Sequence, residues 1–221
     1  MERLEDLGIN NVKVYQDDEL YTFTSDSILL SKFALAKKGE VVADFCAGSG
    51  IVGFYHYALN STLVKSITFF EMQQSLCALC KKSIEVNGLT DKAVVINTKL
   101  QDIEKDYNEK FSLIVCNPPY MKVDQGQINH KDNIAVCTSE VSLSLKELCI
   151  AFNKHLKFGG RVCLVHRADR LVEVITELKN NNIEPKKLQF VCAGKKEPYL
   201  FMLEGVKGGK SSLKVLNTIQ N

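Results

Sequence analysis

Val41-Val-Ala-Asp-Phe-Cys-Ala-Gly-Ser-Gly50 is a short apolar run that breaks into a glycine turn, and Ile51 to Leu59 behind it has helical spacing. A strand turning through glycines into a helix is the unit of open α/β sheets, and that turn is where such sheets bind cofactors. The unit recurs toward the C-terminus. Ser66 to Glu71 reads as a strand and Gln73 to Asn87 as a helix stopped by Gly88. Ala93 to Asn97 and Phe111 to Cys116 are further strands, the latter ended by Asn117-Pro118-Pro119 because proline cannot donate to a ladder. A polar connection runs from Tyr120 to about Val136, and Ser139 opens a helix to about Leu156 that Gly159-Gly160 ends. Arg161 to His166 is a strand, Ala168 to Asn180 a helix, and Lys187 to Cys192 with Tyr199 to Leu203 an antiparallel hairpin at the sheet edge. The expectation is α/β: a seven-stranded, mostly parallel sheet with helices on both faces. Residues 1–40 are expected to add a β-rich arm and a helix, Ser25 to Leu35 with Ser25 as its cap, and residues 41–221 to form the main unit of one structural domain.

Composition agrees. The 221 residues are 45% hydrophobic and 24% charged, enough for one core and close to the average for soluble domains. No apolar run approaches the roughly 18 residues that cross a membrane, and the charged start, Met1-Glu-Arg-Leu-Glu-Asp6, has no apolar leader behind it, so a cytoplasmic address is expected. The eight cysteines, at 46, 77, 80, 116, 137, 149, 163 and 192, read as reduced core residues; even Cys77 and Cys80 lack a second pair to complete a zinc site. His56, His130, His155 and His166 show no ligand spacing, so no metal is expected. Residues 1–150 hold 15 basic and 20 acidic side chains, and residues 151–221 hold 13 and 6; a basic back half attracts polyanions such as nucleic acid.

The chemistry concentrates at the ends of the strands. Gly48 and Gly50 let backbone approach a ligand at a helix N-terminus. Gly48-Ser-Gly50-Ile-Val-Gly53 satisfies the dinucleotide spacing, but Asp44 would repel a pyrophosphate, whereas it could pair with the ammonium of an amino-acid-like cofactor. Phe54 stands where a phosphate-binding loop needs lysine. Glu71 ends its strand where a carboxylate can accept from a ribose diol, and Asp102 follows the next strand, where it could face an adenine edge. Asn117-Pro-Pro-Tyr120 is the sharpest signal. Its stiffened backbone can hold the Asn117 amide oxygen and the Pro118 carbonyl as paired acceptors for an exocyclic amine, and Tyr120 offers a face on which to stack a flipped base.

Together these segments resemble class I S-adenosylmethionine-dependent methyltransferases that act on planar amines, which have a Rossmann-like fold. Phe23-Thr-Ser-Asp-Ser-Ile-Leu-Leu30, Asn87-Gly-Leu89, Phe158-Gly-Gly-Arg161 and Glu204-Gly-Val-Lys-Gly208 narrow the resemblance to the bacterial tRNA1(Val) adenine-37 N6-methyltransferases. The resemblance implies S-adenosylmethionine as cofactor and tRNA as substrate. Gly48 and Gly50 would flank the cofactor's methionine part, Asp26 and Thr24 would line that end, Glu71 would take the ribose and Asp102 the adenine. Asp44, Cys46, Met72, Gln101 and Asn117 would complete the pocket, with Cys46 standing where many relatives have glycine. Catalysis would fall to Asn117, Pro118 and Tyr120. Pro119, Tyr120, Lys122, Lys131, Arg167, Arg170, Lys195 and Lys196 would meet the RNA, with Lys186, Lys187, Lys207, Lys210 and Lys214 as further phosphate contacts. No obligate protein partner is evident. The alternatives are methylation of a protein glutamine amide, DNA adenine methylation, a non-catalytic RNA-binding domain and a nicotinamide dehydrogenase. The first usually has a helical domain in front, the second has no segment left for target recognition, the third leaves Asn117 without a purpose, and the last leaves Asp44 and Asn117-Pro-Pro-Tyr120 unexplained.

Overall fold

Leu113-Ile114-Val115-Cys116 is apolar at every position because its strand is covered on both faces: Leu113 and Val115 join one buried cluster, Ile114 and Cys116 the other. The computed structural model describes residues 1–20, 25–119, 143–194 and 196–221. An N-terminal hairpin, β1 (Glu2–Asp6) and β2 (Lys13–Asp17), leads to α1 (Ser25–Phe33). The alternating core follows as β3 (Glu40–Phe45), α2 (Ile51–Asn60), β4 (Val64–Glu71), α3 (Gln74–Val86), β5 (Ala93–Asn97) and β6 (Phe111–Cys116). Then come α4 (Leu145–His155), β7 (Leu156–Arg167), α5 (Leu171–Asn180), β8 (Ile183–Cys192), β9 (Pro198–Lys207), β10 (Lys214–Val215) and β11 (Ile219–Gln220).

The seven long strands run in the order β8-β9-β7-β6-β3-β4-β5, parallel except that β9 is antiparallel to both its neighbours. The α1, α2 and α3 helices pack on one face, α4 and α5 on the other.

Three expectations need correction. The hairpin is not the sheet edge, because β10 and β11 add to the outer side of β8 in parallel; two residues each are too few to leave a periodic signal. Gly159-Gly160 does not end α4, which stops at His155, but lies in an irregularity inside β7. A Cβ at Gly160 would meet the Lys157 carbonyl at 2.8 Å. Ser25 is the first helical residue of α1 rather than a residue ahead of it. Ser139 lies outside the described residues, and α4 is opened by Ser144 and Glu147 in a reciprocal capping box.

The N-terminal hairpin is strapped to α3. Asn87 accepts from Lys13 N at 2.8 Å and donates to its carbonyl at 2.6 Å, while Ser83 Oγ accepts from Tyr15 N at 2.8 Å. Val12 and Val14 complete the cluster beneath α2 and α3.

One polar network is sunk in this apolar frame. Arg161 of β7 bonds Glu40 of β3 at 2.7 Å, Glu204 of β9 at 3.0 Å and the Leu35 carbonyl behind α1 at 2.9 Å, and Lys187 holds the other Glu204 oxygen at 2.9 Å. All three principal partners are under 6% exposed. Removing one member leaves buried charge without its counterion, so Arg161→Met is expected to lower unfolding stability in urea by about 3–5 kcal/mol. A loss below about 1 kcal/mol would show that the network is not a structural anchor.

Candidate functional site

Strand order reverses at β3: the chain builds β4 and β5 on one side, then returns to lay β6 and β7 on the other. The crevice outside the carboxyl ends of β3 and β6 is therefore the switch point where open α/β sheets bind ligands. Asp44, Glu71, Asn97 and Asn117 stand at the ends of β3, β4, β5 and β6 around it.

Asp44 is fully buried, and its Oδ2 accepts from Gly53 N at 2.8 Å in the first turn of α2. Its Oδ1 has no hydrogen-bond partner among the described residues. Burial, offset in part by the Gly53 bond and reinforced by the charge of Glu71, pushes the Asp44 pKa up to about 8. The three glycines serve different needs. Gly48 has φ +58° and open space where a Cβ would stand, which suits close approach of a ligand. Gly50, with φ +92°, is required by packing, since a Cβ would sit 2.7 Å from the Phe54 ring. At Gly53 a Cβ would lie 2.5 Å from Phe69 and 2.7 Å from Ile67. Cys46 has φ +57°, the left-handed backbone glycine adopts without strain, which explains why glycine is at home there. Its side chain contacts the Cys116 thiol.

Glu71 receives Gly48 N and Gln73 N, each at 2.8 Å, so it ties the glycine turn to the next strand end. Burial raises its pKa, and these backbone bonds oppose the rise. With backbone donors from Gly48, Met72 and Gln73 on its two oxygens, about one of the four lone-pair sites of the carboxylate remains for a ligand hydroxyl. Asn97 donates to the carbonyls of Glu71 at 3.0 Å and Met72 at 2.9 Å, fixing that turn. Asp102 is exposed at the end of a 3-10 turn, Leu100–Asp102, and neighbouring Gln101 donates to Glu147 of α4 at 3.3 Å. Met72 is 37% exposed at the rim.

Asn117 leaves β6 facing α1, and its Nδ2 donates to Ser27 Oγ at 3.1 Å. Pro118 is buried and Pro119 half-buried. Asp26 is half-buried next to Ser27, and Asn221 donates to Ser25 Oγ at 2.9 Å and Tyr199 Oη at 2.8 Å on the same side. Gln16, fully buried on β2, donates to Ser49 Oγ inside the glycine turn. Thr24, Tyr120, Lys122, Lys131, Cys137, His130 and Lys195 lie outside the described residues. Sequence reasoning missed Ser27, Gln16, Ser49 and Asn97. Ser27 and Ser49 lie within quoted motif segments without standing out there, Asn97 left the signal of a polar residue closing an apolar strand, and Gln16 left none.

The basic set divides. Arg167 at the end of β7 is exposed and pairs with Asp169 at 2.8 Å, and Lys196 is exposed nearby in sequence before β9. Arg170 needs correction as an RNA contact: it is 8% exposed, and Glu173 takes its guanidinium at 2.6 and 2.7 Å. Lys207 is likewise held by Glu109 at 2.9 Å and by the Asn153 and Leu156 carbonyls, at the far end of the sheet, and Lys187 is paired with Glu204. Lys186 bonds the Lys210 carbonyl and Ser212. Burial lowers the pKa of His56 and His166 to about 4 and lowers that of His155, so all three are neutral near pH 7. Among the described residues, no three His, Cys, Asp or Glu side chains are grouped to hold a metal, and no helix is long and apolar enough to cross a membrane.

The sequence profile of the methyltransferase small domain family matches residues 10–181. The chain belongs to that family. Its matched span runs from β2 through α5 and so takes in Asp44, Glu71, Asn97 and Asn117. Curated family relatives include a tRNA1(Val) (adenine(37)-N6)-methyltransferase of Shewanella baltica, 26% identical over 64% of this chain and 58% of the relative. A protein of the same name from Parabacteroides distasonis is 23% identical over 79% of this chain and 71% of its own length. The chain thus spans under two thirds of the length of the Shewanella relative. Among solved structures, a predicted O-methyltransferase from Agrobacterium tumefaciens superposes with TM-score 0.69 at 16% identity, covering 88% of this chain and 86% of that one. Methanocaldococcus jannaschii Trm5, solved with adenosine, gives TM-score 0.67 at 15% identity over 95% of this chain and 56% of that one. M. jannaschii TYW2, solved with AdoMet, gives 0.62 at 13% over 93% and 85%. These likenesses establish the Rossmann-like fold of class I methyltransferases.

The orphaned Asp44 oxygen and the open space at Gly48 fit a bound group that brings a donor or a positive charge. Because the pKa of Asp44 in the fold, about 8, lies above its ordinary 3.8, the native state holds a proton the unfolded chain has lost, and stability declines as pH rises through that window. Asp44→Asn, which can keep the Gly53 bond, should raise the melting temperature of the ligand-free protein more at pH 8 than at pH 5. A pH-independent difference between the two proteins would contradict this reading.

Proposed function

We propose that this chain is an S-adenosylmethionine-dependent methyltransferase that modifies the N6 amine of an adenosine in tRNA, at position 37 of a valine tRNA, in the cytoplasm, as one domain with residues 1–40 as an arm on the core. The observation that carries it is the placement of Asn117-Pro118-Pro119 at the switch point, across the crevice from the Gly48 turn. The names of the curated relatives and the AdoMet held by a structural neighbour support the same reading.

Asp44, the Gly48 turn and Cys46 would hold the methionine part of the cofactor with Asp26 and Thr24. Glu71 and Met72 would take the ribose, and Asp102 with Gln101 the adenine. When bound, S-adenosylmethionine supplies an electrophilic methyl group on a sulfonium. The remaining chemistry belongs to the target amine, whose lone pair is delocalised into its ring. Asn117 Oδ1 and the Pro118 carbonyl accept its two N–H hydrogens, which favours the pyramidal, more nucleophilic nitrogen of the transition state. Orientation then matters more than a strong base. Tyr120 would stack the flipped base, with Pro119 beside it. Arg167, Lys122, Lys131, Lys195 and Lys196 would meet phosphates.

The direct test is methyl transfer from labelled cofactor to total tRNA that lacks its native modifications, followed by nucleoside analysis. N6-methyladenosine is the expected product; incorporation only into a protein amide would overturn the RNA reading. Asn117→Ala should reduce turnover by about 10²-fold or more, as loss of a transition-state hydrogen-bonding group does, with cofactor affinity within about twofold. Lost cofactor affinity with normal turnover would remove Asn117 from catalysis. Lys196→Glu should weaken tRNA binding and flatten its salt dependence, and an unchanged slope would exclude Lys196 from the RNA surface.

A further inference from the structure

We infer that Ser27 is a positioning residue for methyl transfer: its bond to the Asn117 side chain anchors the amide at the crevice, where it meets the target amine. This rests on the role of Asn117 proposed above. An asparagine side chain that turns freely about its two side-chain bonds must be immobilised when it engages the amine, and a neighbour that fixes it beforehand removes that cost from the reaction.

Ser27 is placed to supply that anchor. Its Oγ accepts from Asn117 Nδ2 at 3.1 Å, across 90 residues of sequence, and bonds no other side chain among the described residues. It is 1% exposed on the buried face of α1, where an unbonded hydroxyl would be costly. The platform beneath it is rigid. Ser31 Oγ bonds the Ser27 carbonyl at 2.8 Å and the Val52 carbonyl of α2 at 3.0 Å, which locks α1 to the helix that carries the glycine turn. Leu30 and Ala34, both fully buried, pin the same face into the core. The hydroxyl is thus held fixed against the crevice by packing that the ligand does not have to supply.

Ser27→Ala, Ser27→Thr and Ser27→Val test this, with thermal unfolding to confirm that each variant folds. Ser27→Ala is expected to slow single-turnover methyl transfer about three- to tenfold, the bias one hydrogen bond provides, with affinities for cofactor and tRNA within about twofold. Ser27→Thr, which keeps the hydroxyl, should recover most of the rate, and Ser27→Val, of nearly the same shape as threonine, should resemble alanine. A wild-type rate in Ser27→Ala, or an equal loss in the threonine and valine variants, would overturn the inference. A second readout does not depend on the substrate. The Asn117 side-chain amide resonances, assigned by their loss in Asn117→Ala, should shift in Ser27→Ala, and unshifted resonances would show that the bond is absent. If the wild-type protein fails to methylate RNA, the substrate reading falls while the amide resonances still decide whether Ser27 holds Asn117.

Discussion

The crevice depends on how closely α2 approaches the sheet. With no side chain at Gly53, the first turn of that helix settles against Phe69 and Ile67 of β4 and places the Gly53 N–H on the Asp44 carboxylate. Phe54 stacks on Phe69, with ring centroids 4.7 Å apart, and the same ring closes off the space beside Gly50. That contact sets the height of the turn between Cys46 and Gly50, and with it the distance at which backbone can meet a ligand. It also strips water from Asp44 and leaves one oxygen without a partner, so the interaction that builds the turn creates the electrostatic demand at its centre.

The segment ahead of β3 acts as a brace for both walls of the crevice. Gln16 reaches Ser49 in the glycine turn, and Ser27 reaches Asn117 on the opposite side. The hairpin that bears Gln16 is fixed to α3 through Asn87 and Ser83, and α1 is fixed to α2 through Ser31. The geometry of the two walls is thus coupled through elements outside the strand-end motifs that form the crevice.

Charge is partitioned along the sheet. Acids gather at the carboxyl ends of the strands, while Arg161, Lys187 and Lys207 are consumed by internal partners deeper in the sheet or at its other end. A count of basic residues in the back half therefore overstates the surface available to a polyanion. Arg170 illustrates the point: its sequence neighbour Glu173, three residues on, neutralises it at the start of α5.

The sequence by itself determined the class of fold, the alternation of strands and helices and the main residues of the crevice. Those signals are local: apolar runs of strand length, glycines in a turn, prolines that end β6 and carboxylates at strand ends each act through their own backbone. Only the tertiary structure decided that β10 and β11 extend the sheet, that Gly159-Gly160 is an irregularity within a strand, and that Arg170 and Lys207 are buried in ion pairs. It alone brought Gln16 to Ser49 and Ser27 to Asn117. Those pairs join side chains 33 and 90 residues apart, and a hydrogen bond of that reach leaves no periodicity or composition behind. Its partners become visible only when packing has brought two distant elements within 3 to 4 Å of each other.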